Sequence, residues 1–396
     1  MRVPEGWTYS QIGEIANIQV GRDLVEDCFS ANITEDHCYP VYSNTVENRG
    51  LYGFYNFEEY SGNAITIVGR GIGLGTAFAR YVSEPFGAIG RLLVLSPKND
   101  SFDVSFLADY VNFCLRIHNE SGGIPQLPGA SLSRYYVTLP PLPEQQKIAQ
   151  ILSTWDKAIA TCEQLLINSQ QQKKALMQQL LTGKKRLLDE DGVRFCGVWQ
   201  DFKLDELFYF KKGKGLSKGE VHELGKNKCV LYGELYTRYS EVINLIHSRT
   251  DSDDGTPSVS GDILMPSSTT TNGIDLANAT AILEDNILLG GDINILRAKQ
   301  SLSPIFMSHL LTHIKKDEIA SRAQGITIIH LYGSDLKALM VKIPTDKDES
   351  EKIATVLTTA DREIELIQTQ LEALKQEKKA LMQQLLTGKR RVVINH

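Results

Sequence analysis

A twelve-residue string, KKALMQQLLTGK, occurs twice in this chain without a single change, at residues 173–184 and 378–389. Extending both copies toward the N-terminus keeps them aligned without a gap, so that residues 144–159 lie over residues 349–364. A repeat of about forty residues is typical of a duplicated structural unit whose alignment is maintained by packing. We therefore expect the chain to contain two copies of one architecture.

Both copies carry apolar residues at the alternating three- and four-residue spacing of a coiled coil. Such a narrow seam, sustained over the whole repeat, favours a pair of long helices over ordinary core helices. The predicted seam consists of Ile148, Leu152, Trp155, Ile159, Cys162, Leu166, Leu176 and Leu180 in the first copy and Ile353, Leu357, Ala360, Ile364, Ile367, Leu371, Leu374, Leu381 and Leu385 in the second.

Each repeat also carries signals for helix ends. A proline followed by acidic residues stands at both starts, and a glycine followed by basic residues stands at both ends. The pattern predicts helices over 144–182 and 346–388, which can pair within one chain and give it a pseudo-two-fold axis.

Lys173 and Lys378 interrupt the seam at equivalent positions. Our hypothesis is that they fix its register, while snorkelling or contact with a partner remain alternatives.

Composition limits the possible classes of protein. With 396 residues, 42% apolar and 23% charged, the chain suits two soluble domains plus connectors. It has neither a membrane-length apolar run nor a leader-like N-terminus, so we expect a cytoplasmic protein without membrane contact. A zinc site at Cys28, His37 and Cys38 is conceivable, but we expect no metal site. The net charge of −6 excludes a generally basic nucleic-acid-binding domain, so phosphate contacts must come from local patches.

A segment of mixed strands and helices precedes each predicted long helix, over 1–143 and over 183–345. Residues 7–21 lie over residues 199–213, which extends the duplication to these segments. The first segment predicts a helix at 11–18, strands at 39–42 and 64–68, a strand at 91–95 and a helix at about 102–117. Both segments are therefore predicted to be α+β domains.

A glycine-rich loop, GRGIGLG at residues 69–75, follows the second strand of the first segment. A dinucleotide-binding loop needs a helix whose N-terminus meets the phosphates, whereas TAFARY at residues 76–81 is typical of a strand. We therefore interpret the loop as a wide hairpin tip. Arg70 within it is suited to contact a phosphate or a base edge.

The second segment carries polar groups of another kind. Lys211, Lys212, Lys214 and Lys218 fall in a predicted glycine-interrupted loop, and Arg238 lies among tyrosines. The string SSTTTN at residues 267–272 stands where the first segment has its glycine hairpin. The halves are thus expected to share a fold but not a surface.

Several strings resemble those of one family, the specificity subunits of type I restriction-modification systems. LPPLPEQQKIAQIL and KKALMQQLLTGKKR, with their second copies, are similar to the central and C-terminal conserved regions of that family. GGIPQLPGASLSRYYVTLPPLPEQ resembles the exit from a target-recognition domain into its helix. Its second copy, ITIIHLYGSDLKALMVKIPTDKDE, departs from the pattern because it lacks the double proline and the glutamine.

The resemblance implies an architecture and a role. Two α+β target-recognition domains, 1–143 and 183–345, would be joined by an antiparallel coiled coil of the helices 144–182 and 346–388, ahead of a basic and apolar tail, 389–396. Each domain would read one half of a split, asymmetric DNA sequence, with helix length setting the spacer. The chain would carry no catalytic residue and no cofactor. It would recruit two modification subunits, which bind S-adenosylmethionine and methylate adenine, and restriction subunits that translocate and cleave DNA.

Polar and basic residues of the two domains are the candidate DNA contacts. We predict Asn44, Arg49, Arg70, Arg80 and Arg91 in the first domain and Lys211, Lys212, Lys214, Arg238, Thr270 and Asn272 in the second. One alternative is a stand-alone DNA-binding or anti-restriction regulator built on the same scaffold. Another is an enzyme whose glycine loop binds a nucleotide and whose helices dimerise the chain.

Overall fold

The structure, a computed structural model, describes residues 3–119 and 122–394. The chain divides into two compact units, residues 1–163 with 369–396 and residues 164–368. Each unit combines one mixed domain with portions of both long helices, so the division falls within the helices and not at their ends. The two units are described in turn.

The first unit opens with a mixed α+β domain and contains the start of the first long helix. Its elements are β1 (Thr8–Gln11), α1 (Ile12–Ile15), β2 (Ala16–Val20), β3 (Phe29–Ser30), β4 (Tyr39–Tyr42), β5 (Leu51–Tyr55), β6 (Ala64–Ile67), β7 (Ala77–Arg80), β8 (Gly87–Ala88), β9 (Leu93–Pro97), α2 (Val104–Cys114), α3 (Gly129–Leu132), β10 (Tyr136–Leu139) and α4 (Leu142–Leu180).

Strands of the first unit form two four-stranded sheets and a two-stranded ribbon. The main sheet is antiparallel in the order β2-β9-β6-β7, the second sheet has the order β3-β5-β4-β8, and β1 pairs with β10. Ile65 and Leu95 of the main sheet, Phe106 of α2 and Ile148 of α4 share one apolar core with Leu385. Burial of this core fixes the domain to its portion of the helix pair.

The second unit repeats this plan with insertions. Its elements are β11 (Trp199–Lys203), α5 (Leu204–Leu207), β12 (Phe208–Lys212), β13 (Asn227–Val230), α6 (Glu234–Thr237), β14 (Val242–Ile243), β15 (Ser248–Thr250), β16 (Thr256–Pro257), β17 (Asp262–Pro266), β18 (Ser268–Thr269), β19 (Thr280–Ile282), β20 (Leu288–Leu289), β21 (Ile293–Ala298), α7 (Pro304–His309), α8 (Lys316–Ala320), β22 (Ile329–His330), α9 (Gly333–Lys337), β23 (Met340–Pro344) and α10 (Lys347–Leu385).

The main sheet of the second unit has the order β12-β21-β17-β19-β14, in which the first four strands match β2-β9-β6-β7. A second sheet has the order β15-β13-β20-β16, and β11 pairs with β23 as β1 pairs with β10. Phe306 of α7, Leu180, Ile353 and Leu357 belong to one apolar core. The expected duplication of the α+β fold is therefore present in the described chain.

Two predicted helices of the first domain are shorter than expected. The predicted helix at 11–18 is a single turn, α1, followed by strand β2. Tertiary pairing overrides the local pattern here, because Ile18 lies opposite Leu95 in the main sheet. The predicted helix at 102–117 is α2, whose N-terminus is capped by the Asp103 carboxylate accepting from Phe106 N at 2.9 Å.

The two long helices run antiparallel inside each unit. In the first unit Glu144 near the start of α4 pairs with Arg391, whereas Lys375 on α10 pairs with Glu163 farther along α4. In the second unit Arg186 pairs with Glu349 at the start of α10. The predicted seam residues are all buried or half-buried. The α+β class with two long antiparallel helices is therefore confirmed.

The seam lysines form matched ion pairs. Lys378 Nζ lies 2.5 Å from Asp156 Oδ1 in the first unit, and Lys173 pairs with Asp361 in the second. Asp156 and Asp361 occupy equivalent positions of the sequence repeat, so both copies use the same lysine-aspartate pair across the helices. The register hypothesis for the lysines stays a prediction.

Each pair lies beside a titratable group, the half-buried Asp109 of α2 or the buried His309 of α7. Burial raises the pKa of Asp109, near Lys378, to about 6. At the matching position of α7, burial lowers the pKa of His309 to about 4.

In the part of the chain that the structure describes, no helix combines the length and apolarity needed to cross a membrane.

Candidate nucleic-acid interface

The glycine-rich loop of the first unit is a hairpin tip. Strands β6 and β7 pair antiparallel, with Ile67 opposite Ala77, and the connection closes through Val68 N donating to Thr76 O at 2.9 Å. Gly71, Gly73 and Gly75 have positive φ angles, which glycine adopts without steric cost. A strand follows the loop where a nucleotide-binding fold needs a helix, so the hairpin prediction is confirmed.

Asn44 joins two arginine-bearing turns at the end of the main sheet where the hairpin tip lies. Its side-chain oxygen accepts from Gly69 N at 2.8 Å, and its side-chain nitrogen donates to Gly90 O. Arg70 and Arg91 follow those glycines directly. The pairing of Ile67 with Leu93 places both turns at one end of the strands. Three of the five residues predicted for this domain are thus brought together.

Arg22 lies at the same edge and was missed by sequence reasoning. Val20, the last residue of β2, pairs with Leu93, and Gly21 N donates to Leu92 O at 2.7 Å. Arg22 therefore follows the end of β2 at the same end of the main sheet as Arg70 and Arg91. The signal was present in the sequence, because Arg22 follows a glycine as Arg70 and Arg91 do. We call Arg22, Arg70 and Arg91 the Gly-Arg edge. Arg22 and Arg91 are exposed and Arg70 is half-buried.

The structure corrects the prediction for Arg80. Only 2% of Arg80 is exposed, its Nε donates to Thr66 Oγ1 at 3.0 Å, and its guanidinium stacks 3.3 Å from the centroid of the Tyr42 ring. Burial lowers its pKa to about 10. Its Nη2 donates to Arg49 O at 2.6 Å. Arg80 therefore holds the chain around Arg49 and does not offer its guanidinium to a ligand.

Arg49 is separated from the Gly-Arg edge. Its side chain is exposed and its Nη2 donates to Ala79 O at 2.8 Å. Ala79 lies toward the open end of the β6-β7 hairpin, since Ala64 is opposite Arg80 there and the glycine tip closes the other end. The prediction that Arg49 acts together with Arg70 is therefore not supported by its position.

The matching edge of the second unit carries lysines and amide or hydroxyl side chains. Lys211 and Lys212 belong to strand β12, which corrects their predicted position in a loop, whereas Lys214 and Lys218 follow in the connection to β13. Pro266 opposite Ile293 and Lys212 opposite Asn294 place the end of β12 beside the segment that contains Thr270 and Asn272. Both polar residues are exposed, as are these lysines.

Asn272 is held rigidly at this edge. Its side-chain oxygen accepts from Ile274 N at 3.1 Å and so caps the short 3-10 helix Gly273–Ala277. Ser267 N donates to Asp292 O at 2.8 Å, which ties the same segment to the turn before β21. We call Lys212, Lys214, Thr270 and Asn272 the mixed edge.

An open cleft of about 880 Å³ adjoins the mixed edge. It combines basic, aromatic and acidic side chains. Arg238 Nη1 lies 3.3 Å from Glu234 Oε1, and Lys214 Nζ lies 2.9 Å from Asp254 Oδ1, so acidic neighbours partly neutralise these cations. The cleft is lined by Lys218, Tyr232, Glu234, Tyr236, Arg238 and Asp292, among others.

Comparison with sequence families gives a match over most of the chain. The sequence model of a family described as "Type I restriction modification DNA specificity domain" matches twice, over residues 4–169 and 197–376. The type I restriction enzyme MjaVIII specificity subunit of Methanocaldococcus jannaschii is 25% identical over 414 residues, which cover 99% of this chain and 95% of that protein.

Shorter matches are found in Mycoplasma pneumoniae. Two putative type I specificity subunits of that organism are 30% and 29% identical over 152 and 164 residues, or 37% and 41% of this chain. These matches cover 47% and 43% of the two proteins, so the chain spans less than half of their length.

Solved structures share the fold over the full length. The crystal structure of a type I restriction-modification S subunit from M. genitalium has a TM-score of 0.62 at 15% identity and covers 100% of this chain and 99% of its own. A chain from a study of complex assembly in the type I R-M system has a TM-score of 0.55 at 13% identity, covering 98% and 100%. These likenesses support the two-domain fold.

Proposed function

Because this chain belongs to the type I restriction-modification DNA specificity family, we propose that it recognises a DNA sequence made of two separate half-sites, one for each unit. The observation that carries the proposal is the position of the Gly-Arg edge. Three arginines from three different turns meet at one end of the main sheet, on backbone fixed by sheet pairing and by Asn44. Arginine pairs bidentately with the O6 and N7 atoms of guanine in the major groove.

The two edges differ in chemistry, which supports an asymmetric target. The Gly-Arg edge offers planar guanidinium donors, whereas the mixed edge offers ammonium, hydroxyl and amide groups. Lysine makes mainly phosphate or guanine contacts, and asparagine pairs bidentately with adenine N6 and N7. The first half-site is therefore proposed to contain guanine and the second to contain adenine opposite Asn272.

The chemistry on DNA is proposed to come from partners. In this proposal two modification subunits carrying S-adenosylmethionine and additional restriction subunits bind the chain, which itself contributes recognition and no catalytic residue. The net charge of −6 agrees with this division, because partners that clamp the DNA supply phosphate contacts that an acidic chain does not.

Selection from random DNA by the assembled complex tests this function. The chain is co-expressed with a modification subunit, purified with it, and used to enrich bound duplexes, which are then sequenced. We expect two conserved blocks separated by a spacer of fixed length. Arg70→Ala should relax one block by about 1–3 kcal/mol of discrimination.

Arg134→Ala is the matched control. Arg134 is an exposed arginine of the same unit. The carbonyl of its neighbour Tyr135 accepts from Ile12 N, which precedes β2. Arg134 therefore lies near the start of β2, whereas the Gly-Arg edge lies at its other end, beyond Val20. It should leave both blocks unchanged. Enrichment of one continuous block, or failure to co-purify with the modification subunit, would count against the proposal.

A further inference from the structure

A cluster of metal-binding side chains lies in the second unit, away from the mixed edge. Glu241 directly precedes β14, His309 ends α7, and His313 lies on the π-helical turn Leu310–Ile314. Spacing of four residues places both rings on one helix face, with centroids 5.9 Å apart. The carboxylate oxygen and the two ring nitrogens all lie within 4.8 Å of one another.

His309 lacks the partners that a buried imidazole requires. It is 0% exposed, yet neither of its ring nitrogens has a hydrogen-bond partner within residues 3–119 and 122–394. Buried polar groups of folded proteins are nearly always paired. Its Nε2 lies 3.8 Å from Asp361 Oδ2, too far for a hydrogen bond. Two ligands of one tetrahedral zinc ion lie about 3.4 Å apart, so this separation is close to that of atoms sharing an ion.

The first unit has the same helix without these donors. The N-caps Asp103 and Ser303 align α2 with α7. Six positions past the equivalent Phe106 and Phe306, a polar side chain bonds the backbone of an alanine at the start of a neighbouring strand or directly before it, Asn112 to Ala77 and Thr312 to Ala279. That alignment puts Asp109 opposite His309 and Phe113 opposite His313. The shared fold therefore does not require the histidines, and the donor set is particular to the second unit.

We propose that Glu241, His309 and His313 bind a divalent transition-metal ion of the zinc class, with Asp361 as the fourth ligand. Two imidazole nitrogens and two carboxylate oxygens suit Zn²⁺, Co²⁺ or Ni²⁺ better than Mg²⁺ or Ca²⁺, which take oxygen ligands alone. The ion joins the segment before β14, the end of α7 and the α10 helix, and so locks the domain to its own helix portion.

Lys173 occupies the position of the competing cation. Its ammonium pairs with Asp361 and lies 3.9 Å from Glu241 Oε2, so it neutralises both carboxylates when the ion is absent. Binding of the ion displaces this ammonium toward solvent. Removal of the lysine charge should therefore strengthen metal binding, which distinguishes a metal site from a simple charge cluster.

Titration of the full-length, chelator-stripped protein with ZnCl2, followed by calorimetry and thermal unfolding, tests the site. We expect one ion per chain and a rise in Tm. Removing a residue that only hydrogen-bonds a metal ligand weakens metal binding by roughly 10–100-fold. His313→Ala and Glu241→Gln each remove a ligand itself, so each should weaken zinc binding by at least that factor. Lys173→Gln should tighten binding.

His222→Ala is the matched control. His222 belongs to the same unit and its Nε2 lies 3.2 Å from Asp251 Oδ2, so it forms a histidine-carboxylate pair that contains a single histidine. It should leave zinc affinity unchanged. A wild-type protein that takes up no zinc, or equal uptake by His313→Ala, would overturn the proposal. So would thiolate-to-metal charge-transfer absorption in the Co²⁺ form, which would place the ion on cysteines. Wild-type titration decides the matter if a variant fails to fold.

Discussion

Arg22, Arg70 and Arg91 each follow a glycine beside a strand end, yet sequence reasoning selected only the last two. The glycine loop drew attention to Arg70, while Gly21-Arg22 stood after a segment wrongly predicted to be helical. Arg80 was selected although it is buried, because its partners Tyr42, on the second sheet, and Thr66, on the neighbouring strand, become its neighbours only through the fold. Residue type thus indicated that arginines could contact DNA, and the fold decided which of them are free to do so.

The metal-binding cluster shows the same limit. The His-x-x-x-His spacing of His309 and His313 was readable, but their third ligand, Glu241, lies far upstream and approaches through the fold. Sequence reasoning weighed Cys28, His37 and Cys38 instead. In the structure the His37 ring faces the Thr34 hydroxyl at 3.2 Å.

Replacing Arg80 should affect stability. Arg80→Ala removes hydrogen bonds to Thr66 Oγ1 and Arg49 O and leaves the buried Thr66 hydroxyl without this partner, so we expect a loss of about 2 kcal/mol in the free energy of unfolding. Urea denaturation measures it. Exposed Arg134→Ala should change stability by less than about 0.5 kcal/mol. Equal stability of the two variants would show that Arg80 does not hold the turn at Arg49.

At the scale of elements, the long helices were the most predictable part of the chain. Their seam follows from heptad spacing, and α4 and α10 begin and end within a few residues of the predicted bounds. The ion pairs across the helices were not predictable, because the partner of each seam lysine depends on the antiparallel register. Only the structure shows that Lys378 meets Asp156 and that Lys173 meets Asp361.

Inverting one seam pair tests the register hypothesis. Lys378→Asp places two carboxylates together and should lower the free energy of unfolding. Adding Asp156→Lys should restore part of the loss, since the pair is rebuilt with its charges exchanged. The recovery should be about 1 kcal/mol or less, because Asp156 is largely exposed and its charge is screened. A double mutant no more stable than Lys378→Asp would speak against a direct interaction between the pair.

Asp109 beside this pair should make stability depend on pH. Burial raises its pKa to about 6, above its ordinary value of 3.8. The folded state therefore retains a proton that the unfolded state loses, and stability falls as pH rises from about 4 to about 6. Asp109→Asn removes this penalty.

The variant should gain about 3 kcal/mol relative to wild type at pH 8, since the pKa of Asp109 is raised from 3.8 to about 6 and each pKa unit is worth about 1.4 kcal/mol. The gain should vanish by pH 4. Chemical denaturation at both pH values measures it. A difference between the two proteins that does not change with pH would show that Asp109 has no raised pKa.

At the scale of the whole chain, the internal repeat revealed two copies of one fold, and the matching strand orders of the two main sheets follow that duplication. The differences between the copies were less predictable. The second unit adds strand β14 and the π-helical turn, and it exchanges the Gly-Arg edge for the mixed edge. The long-helix repeat made the duplication detectable, whereas the edge residues differ between the units, which is why we propose that they carry the specificity.

Sequencing of modified adenines in cells that express this chain together with a modification subunit tests the proposed function most directly. We expect a split, asymmetric motif. Arg70→Ala or Arg22→Ala should loosen base preference in one half only, and Asn272→Ala should loosen it in the other half only. A symmetric motif, or an Arg70→Ala variant that alters the half affected by Asn272→Ala, would contradict the assignment of one half-site to each unit.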